Sequence, residues 1–312
     1  MPLSLSRFMA RSCGLAPLLP LLGGALTLAG SASGAFAQAA GDHWKVPAGT
    51  VQGTRYSKLN QIDAGNVSRL VEEFKFNTGT VNGHEGQPLV VGDTMYIVTP
   101  WPNKLIALDL RHGGTEKWTY NPGTSEFATG KACCDVVNRG ATFADGKIVY
   151  NLLDGHTVAV DAQTGHEVWR TTVADPTIGE TVTGPTLVVG NKVIIGNSGG
   201  EFGVRGWVQA LDLATGLPVW KAYNTGSDAD ARIGADFHPF YAKDRGKDLG
   251  LSSWPGEMWK LGGSTSWGWL TYDPDLNLFY YGTANPGVWN PDMRPGDNKW
   301  GSTIWACTTS MT

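Results

Sequence analysis

Three observations predict an all-β protein assembled from repeated four-stranded sheets. The segments ALDLRHGGTEKW at 107–118, AVDAQTGHEVW at 159–169 and ALDLATGLPVW at 210–220 share one Asp…Gly…Trp pattern, and their aspartates, Asp109, Asp161 and Asp212, lie 52 and 51 residues apart. Each copy follows a short apolar or alternating run: TMYIV at 94–98, KIVYNLL at 147–153 and KVIIG at 192–196. The chain also holds 42 glycines and 13 tryptophans in 312 residues, with no long amphipathic helical pattern. Short strands joined by Gly-rich turns favour a sandwich, barrel or propeller. A period of about fifty residues suits one four-stranded blade with its connections, which selects the β-propeller.

From the N-terminus, Arg7 and Arg11 precede an apolar run from Leu15 to Leu28 and a small-residue stretch ending Ala35-Phe36-Ala37. That order is a secretory signal peptide over 1–37 with an A-x-A cleavage site. Pro17, Pro20, Gly23 and Gly24 interrupt the apolar run, which is short for a membrane span. Cleavage into the periplasm, without a stable membrane anchor, is therefore expected. Loss of Arg7 and Arg11 takes the formal charge from −4 to −6. A mildly acidic chain without a basic run argues against nucleic acid and for a small partner.

Within the repeat, the expected unit is a strand ending at Ala-x-Asp, a tight turn and a return strand carrying Trp118, Trp169 or Trp220. The aspartate binds backbone N–H groups of the turn, and glycine supplies positive φ. The indole fills a slot between neighbouring sheets while its N–H finds a backbone acceptor. LNLFYYGTAN at 276–285 begins a fourth copy.

Several residues outside the repeat carry chemistry. Cys133 and Cys134 are adjacent; neighbouring Cα atoms lie about 3.8 Å apart, whereas disulfides prefer roughly 4.4–6.8 Å, so a bond between them is strained. Two reduced, buried thiols are the other reading, although export permits oxidation. Cys13 leaves with the signal peptide. Glu201 stands among glycines in GNSGGEFGVRG at 196–206, and a second Gly-rich tract runs from Gly262 to Trp300. Glycines let backbone approach a ligand closely. Glu201 and Asn285 offer hard oxygen donors suited to Ca²⁺ or a similar ion, although a Gly-flanked glutamate in a loop is ordinarily just solvated.

Five tracts in order, GTRYSKLNQI at 53–62, GHEGQPLVV at 83–91, CCDVVNRG at 133–140, GGEFGVRG at 199–206 and GTANPGVWNPDMRPGDNKW at 282–300, give the chain a resemblance running from about Asp42 to Ala306. It resembles the amino-terminal half of the pyrroloquinoline quinone (PQQ)-dependent methanol and ethanol dehydrogenases. The resemblance implies an eight-bladed propeller, here truncated to about three and a half blades over 38–306, with an aberrant tail at 307–312. It implies oxidation of a primary short-chain alcohol to an aldehyde by PQQ and a calcium or lanthanide ion, with cytochrome c as electron acceptor and a homodimer possible in the full-length form. Cys133 and Cys134 look like the vicinal disulfide over one face of the quinone, and Trp267 like the floor under the other. Glu85, Arg139, Thr183, Ser198, Gly199, Gly200 and Thr265 match positions that bond the cofactor's carboxylates and carbonyls. A guanidinium suits that polyanion through paired donors. Glu201 and Asn285 resemble two ligands of the metal.

The family's catalytic aspartate falls downstream of Thr312, so no base is assigned. The expectation is a chain that is inactive alone, poorly soluble because blade faces are left open, and without a function for Cys307. Rival readings are a non-catalytic propeller scaffold of the outer-membrane assembly type, which has no need of Cys133, Cys134, Glu201 and Asn285 together, and a sugar-oxidising quinoprotein, which predicts membrane helices before the propeller. A nucleotide-dependent dehydrogenase is disfavoured because no G-x-G-x-x-G follows a strand.

Overall fold

Each Asp…Gly…Trp segment closes a four-stranded antiparallel sheet. The computed structural model describes residues 43–132 and 134–311; the expected signal peptide, Cys13 and Cys133 lie outside them. The first sheet contains β1 (Leu89–Val91), β2 (Thr94–Val98), β3 (Leu105–Asp109) and β4 (Thr115–Tyr120). The second contains β5 (Thr142–Ala144), β6 (Lys147–Asn151), β7 (His156–Asp161) and β8 (Glu167–Thr172). The third contains β9 (Leu187–Val189), β10 (Lys192–Gly196), β11 (Trp207–Asp212) and β12 (Pro218–Tyr223). A fourth sheet has three strands, β13 (Thr271–Asp273), β14 (Leu278–Gly282) and β15 (Ile304–Thr308). This is a β-propeller architecture. The run expected over 147–153 ends at Asn151, because Leu152 and Gly155 enter a turn in which the Gly155 N–H donates to the Leu152 carbonyl.

The turn chemistry matches its sequence. Asp161 accepts from the N–H groups of Gln163 and Thr164 and from the Thr164 hydroxyl, and Asp212 repeats this with Ala214 and Thr215. In all three complete sheets the ladder shifts register just after the alanine that faces the tryptophan, at Ala107, Ala159 and Ala210. One extra residue on the outer strand forms a bulge, a device that re-aims a side chain. The indole N–H groups then reach the next sheet: Trp118 donates to Gln163 O at 3.1 Å, Trp169 to Leu213 O at 3.0 Å and Trp220 to Thr309 O at 2.9 Å. The turn glycines receive the rings. A Cβ on Gly165 would lie 2.7 Å from Trp118, and one on Gly216 would lie 2.6 Å from Trp169, both at positive φ.

Gly114 of the first turn receives Phe74 instead. VEEFKFNTGT at 71–80 parallels TEKWTYNPGT at 115–124, with Phe74 in the place of Trp118, so the segment before the first sheet docks as an outer strand's aromatic would.

Period-two alternation sorts residues between two buried faces. From β6, Ile148 and Tyr150 enter the core shared with the first sheet, whereas Val149 enters the core shared with the third. From β10, Val193 and Ile195 face back while Ile194 faces the fourth sheet, where Trp220 stacks on Phe279. Strands buried on both sides read as nearly continuous apolar runs. Outer strands such as β4 are exposed. The first strands β1, β5 and β9 contact one another in succession and so lie innermost. Residues 44–51 run across them: Trp44 pairs with Val90, Lys45 O accepts from Phe143 N, and Val51 O accepts from Tyr272 N.

Cys307, in β15, is the free cysteine among the described residues. Burial pushes its thiol up to about 12, so the nucleophilic thiolate is suppressed. No helix among the described residues is long and apolar enough to cross a membrane.

Candidate active site

Antiparallel order fixes which connections share an end. If the first strand of a sheet runs from one end, the second returns to it, the third leaves and the fourth returns. The second-to-third loops and the sheet-to-sheet connections therefore lie together, opposite the Asp…Gly turns. Apart from Glu85, which precedes β1, the described candidate residues lie in these connections: 134–139 between β4 and β5, 180–183 between β8 and β9, 197–201 between β10 and β11, 263–267 between β12 and β13, and Asn285 between β14 and β15.

A chain of hydrogen bonds joins three of them. Arg139 Nη1 donates to Thr183 Oγ1 at 2.8 Å, and Thr183 Oγ1 lies 2.8 Å from Ser198 Oγ. Thr181 and Ser198 form an isolated antiparallel bridge that sets these hydroxyls side by side. The Arg139 side chain is 13% exposed and pairs through Nε with Glu85 Oε2 at 3.1 Å. Its guanidinium also sits 5.0 Å from the centre of the Trp267 ring, within cation–π range.

These groups border an open cleft. Cys134, Arg139, Thr183, Ser198, Gly199, Glu201 and Trp267 line it, joined by the apolar side chains of Ala132 and Val137. Cys134 is disulfide-bonded. Glu85 enters through its ion pair with Arg139. Gly200 and Thr265 stand behind the lining, where a Cβ on Gly200 would lie 3.4 Å from Thr265 Oγ1.

Glu201 and Asn285 are both exposed. The Glu201 carboxylate forms no hydrogen bond or ion pair with another described residue. The Asn285 amide nitrogen donates to Pro286 O at 3.3 Å. Their loops meet through glycine: a Cβ on Gly263 would lie 2.6 Å from Gly287 N and 3.1 Å from Asn285 O, and one on Gly287 would lie 3.2 Å from Gly200 O. Only a missing side chain permits that approach. Among the described residues no group of three or more His, Cys, Asp or Glu is placed to hold a metal, so a cation at Glu201 requires amide or cofactor oxygens as well.

The donor set fits a planar polyanion with a hard cation. A guanidinium and two buried hydroxyls answer carboxylates and carbonyls, an aromatic face answers a flat ring, and Glu201 is an oxygen donor without a partner among the described residues. Residues 44–310 match the PQQ family described as the glucose/ethanol/alcohol dehydrogenase β-propeller domain. The chain belongs to the family of PQQ-dependent alcohol dehydrogenases. It is 54% identical over 255 residues to the lanthanide-dependent methanol dehydrogenase of Methylacidiphilum fumariolicum (strain SolV), covering 81% of this chain and 42% of that protein. It is 44% identical over 317 residues to methanol dehydrogenase [cytochrome c] subunit 1 of Methylorubrum extorquens, covering 96% of this chain and 49% of that one. A solved europium-containing methanol dehydrogenase superposes with a TM-score of 0.84 at 51% identity, covering 86% of this chain and 47% of that chain. The chain spans about half the length of the curated relatives it matches.

Sequence reasoning missed Ala132, Val137, Glu180 and Asn197. Ala132 directly precedes the CCDVVNRG tract and Val137 lies inside it, so both were within reach. Asn197 directly precedes the Gly-rich tract's Ser198, whereas Glu180 carries no local pattern.

Proposed function

We propose that this chain forms the quinone- and metal-binding part of a periplasmic alcohol dehydrogenase that oxidises methanol, ethanol or another short primary alcohol to the aldehyde and passes electrons to cytochrome c. The observation that carries the reading is the Arg139–Thr183–Ser198 hydrogen-bond chain beside Trp267, Cys134 and the exposed Glu201 carboxylate. Bound PQQ supplies the two-electron acceptor and the metal a Lewis acid. Arg139, Thr183 and Ser198 hold carboxylates and carbonyls; Trp267 and Cys134 hold ring faces; Glu201 and Asn285 hold the cation. Calcium and a lanthanide are both suited to those oxygen donors, and the lanthanide-dependent relative favours the latter.

Oxidation of the alcohol also needs a proton acceptor. Glu201 is the one carboxylate among the described residues lining the cleft, and metal binding consumes it. The chain alone is therefore proposed to bind cofactor without turnover. Purified chain mixed with PQQ and Ca²⁺ or La³⁺ is expected to retain a protein-bound quinone spectrum and to reduce no dye with methanol or ethanol. Failure to retain quinone with either metal sinks the binding reading. Dye reduction by this chain alone sinks the account of the missing base.

A further inference from the structure

Beneath the cleft lies a buried carboxylate that the proposed mechanism does not use. Glu180 is 9% exposed. Its Oε1 accepts from Trp207 Nε1 at 2.6 Å and Asn197 Nδ2 at 2.9 Å, and its Oε2 accepts from Asp175 N at 3.0 Å. All three partners are donors, which match the acceptor-only oxygens of a carboxylate. Asn197 is locked from both sides, since its Oδ1 accepts from Trp207 N at 2.9 Å and its Nδ2 also donates to Arg205 O at 3.0 Å. Asn197 immediately precedes Ser198. The carbonyl of Gly179, next to Glu180, packs directly against Gly199. Over the face of the indole, the Lys221 ammonium stands 4.1 Å from the centre of the Trp207 ring. Burial lowers the Lys221 pKa, and the charge of Glu180 opposes that shift.

We infer that Glu180 is a positioning residue: its buried charge, clamped by Trp207 and Asn197, fixes the turn that presents Ser198, Gly199 and Glu201 to cofactor and metal. This rests on the reading of that turn as the metal- and quinone-binding turn. A buried carboxylate is costly unless fully hydrogen-bonded, and this one is satisfied by donors from three separate segments: 175, 197 and 207. Rotation of Asn197 would release the turn at its first residue.

The test is europium(III) titration of the whole chain in the presence of PQQ, read by europium luminescence, alongside thermal unfolding. Glu180→Gln keeps the volume and still accepts from Trp207 and Asn197, but it sets an NH₂ group against the Asp175 N–H and removes the charge. Tyr150→Phe is the comparator, because it deletes a buried hydrogen bond to Asn103 O far along the chain from the turn. Glu180→Gln is expected to weaken europium binding at least fivefold, while Tyr150→Phe lowers Tm and leaves europium binding within twofold of the starting protein. A smaller loss in Glu180→Gln, or an equal loss in both variants, overturns the inference. If Glu180→Gln does not fold, Trp207→Phe, which removes one donor and keeps the carboxylate, is read against the same fivefold threshold. Absence of europium binding in the unsubstituted chain instead rejects the reading of the site itself, and the inference falls with it.

Discussion

At the scale of single residues, Arg139 answers three demands at once: a carboxylate at Glu85, a hydroxyl at Thr183 and the face of Trp267. A planar fork with several fixed donors meets them, and an ammonium does not. Arg139→Ala is expected to weaken PQQ binding by roughly 10- to 100-fold, the equivalent of about 1.5–3 kcal/mol for a charge-assisted hydrogen bond. Arg139→Lys should recover only a fraction of it. Quenching of tryptophan fluorescence by PQQ measures both, and full recovery by lysine would remove the geometric argument. Glu201→Gln is expected to weaken calcium or europium binding with stability unchanged within about 0.5 kcal/mol, since an exposed side chain without a partner among the described residues contributes little to folding. Arg139 and Glu201 were legible because each sits in a tract whose order along the chain is informative. Glu180 was not, because TIGETVT reads as an ordinary loop and only the folded chain brings Trp207 and Asn197 to it.

At the scale of the element, the Asp…Gly…Trp turn ties each sheet to the next. Trp169 is 8% exposed and donates to Leu213 O, so Trp169→Ala is expected to cost about 3–5 kcal/mol, measured by denaturant unfolding. Hydrogen bonds from Thr164 and Thr215 hold Asp161 and Asp212 below the ordinary carboxylate pKa. A depressed folded pKa adds stability above the unfolded value of about 4 and loses it as pH falls through the folded value. Tm is therefore expected to drop below about pH 4, with a shallower drop in the Asp161→Asn, Asp212→Asn double variant. An unchanged slope would remove these turns from the acid response. The turn was legible down to its aspartate, since strand, cap, glycine and tryptophan all recur at one spacing. The bulge at Ala107, Ala159 and Ala210 was not, because one extra exposed residue leaves no mark on an already polar outer strand. Phe74 was missed because it is not a tryptophan and because Asp63 stands 11 residues ahead of it, outside the eight- or nine-residue Asp-to-Trp spacing of the repeats.

At the scale of the whole molecule, antiparallel connectivity separates stability from chemistry. The repeating turns and their tryptophans occupy one end of the sheets, and the irregular connections at the other end form the cleft. This division explains why the fold was readable from periodicity while the site needed motifs: repeats encode packing, and the site consists of departures from the repeat. Close glycine contacts between the loops of Gly200, Gly263 and Gly287 bring Glu201 and Asn285 into neighbouring loops although 84 residues separate them in sequence. The most direct test is equilibrium dialysis of the chain against PQQ, with and without Ca²⁺ or La³⁺, read by quinone absorbance. The account predicts one quinone retained per chain, dependent on metal, and lost in an Arg139→Ala, Glu201→Gln double variant. Retention that ignores both substitutions, or no retention with either metal, would contradict it.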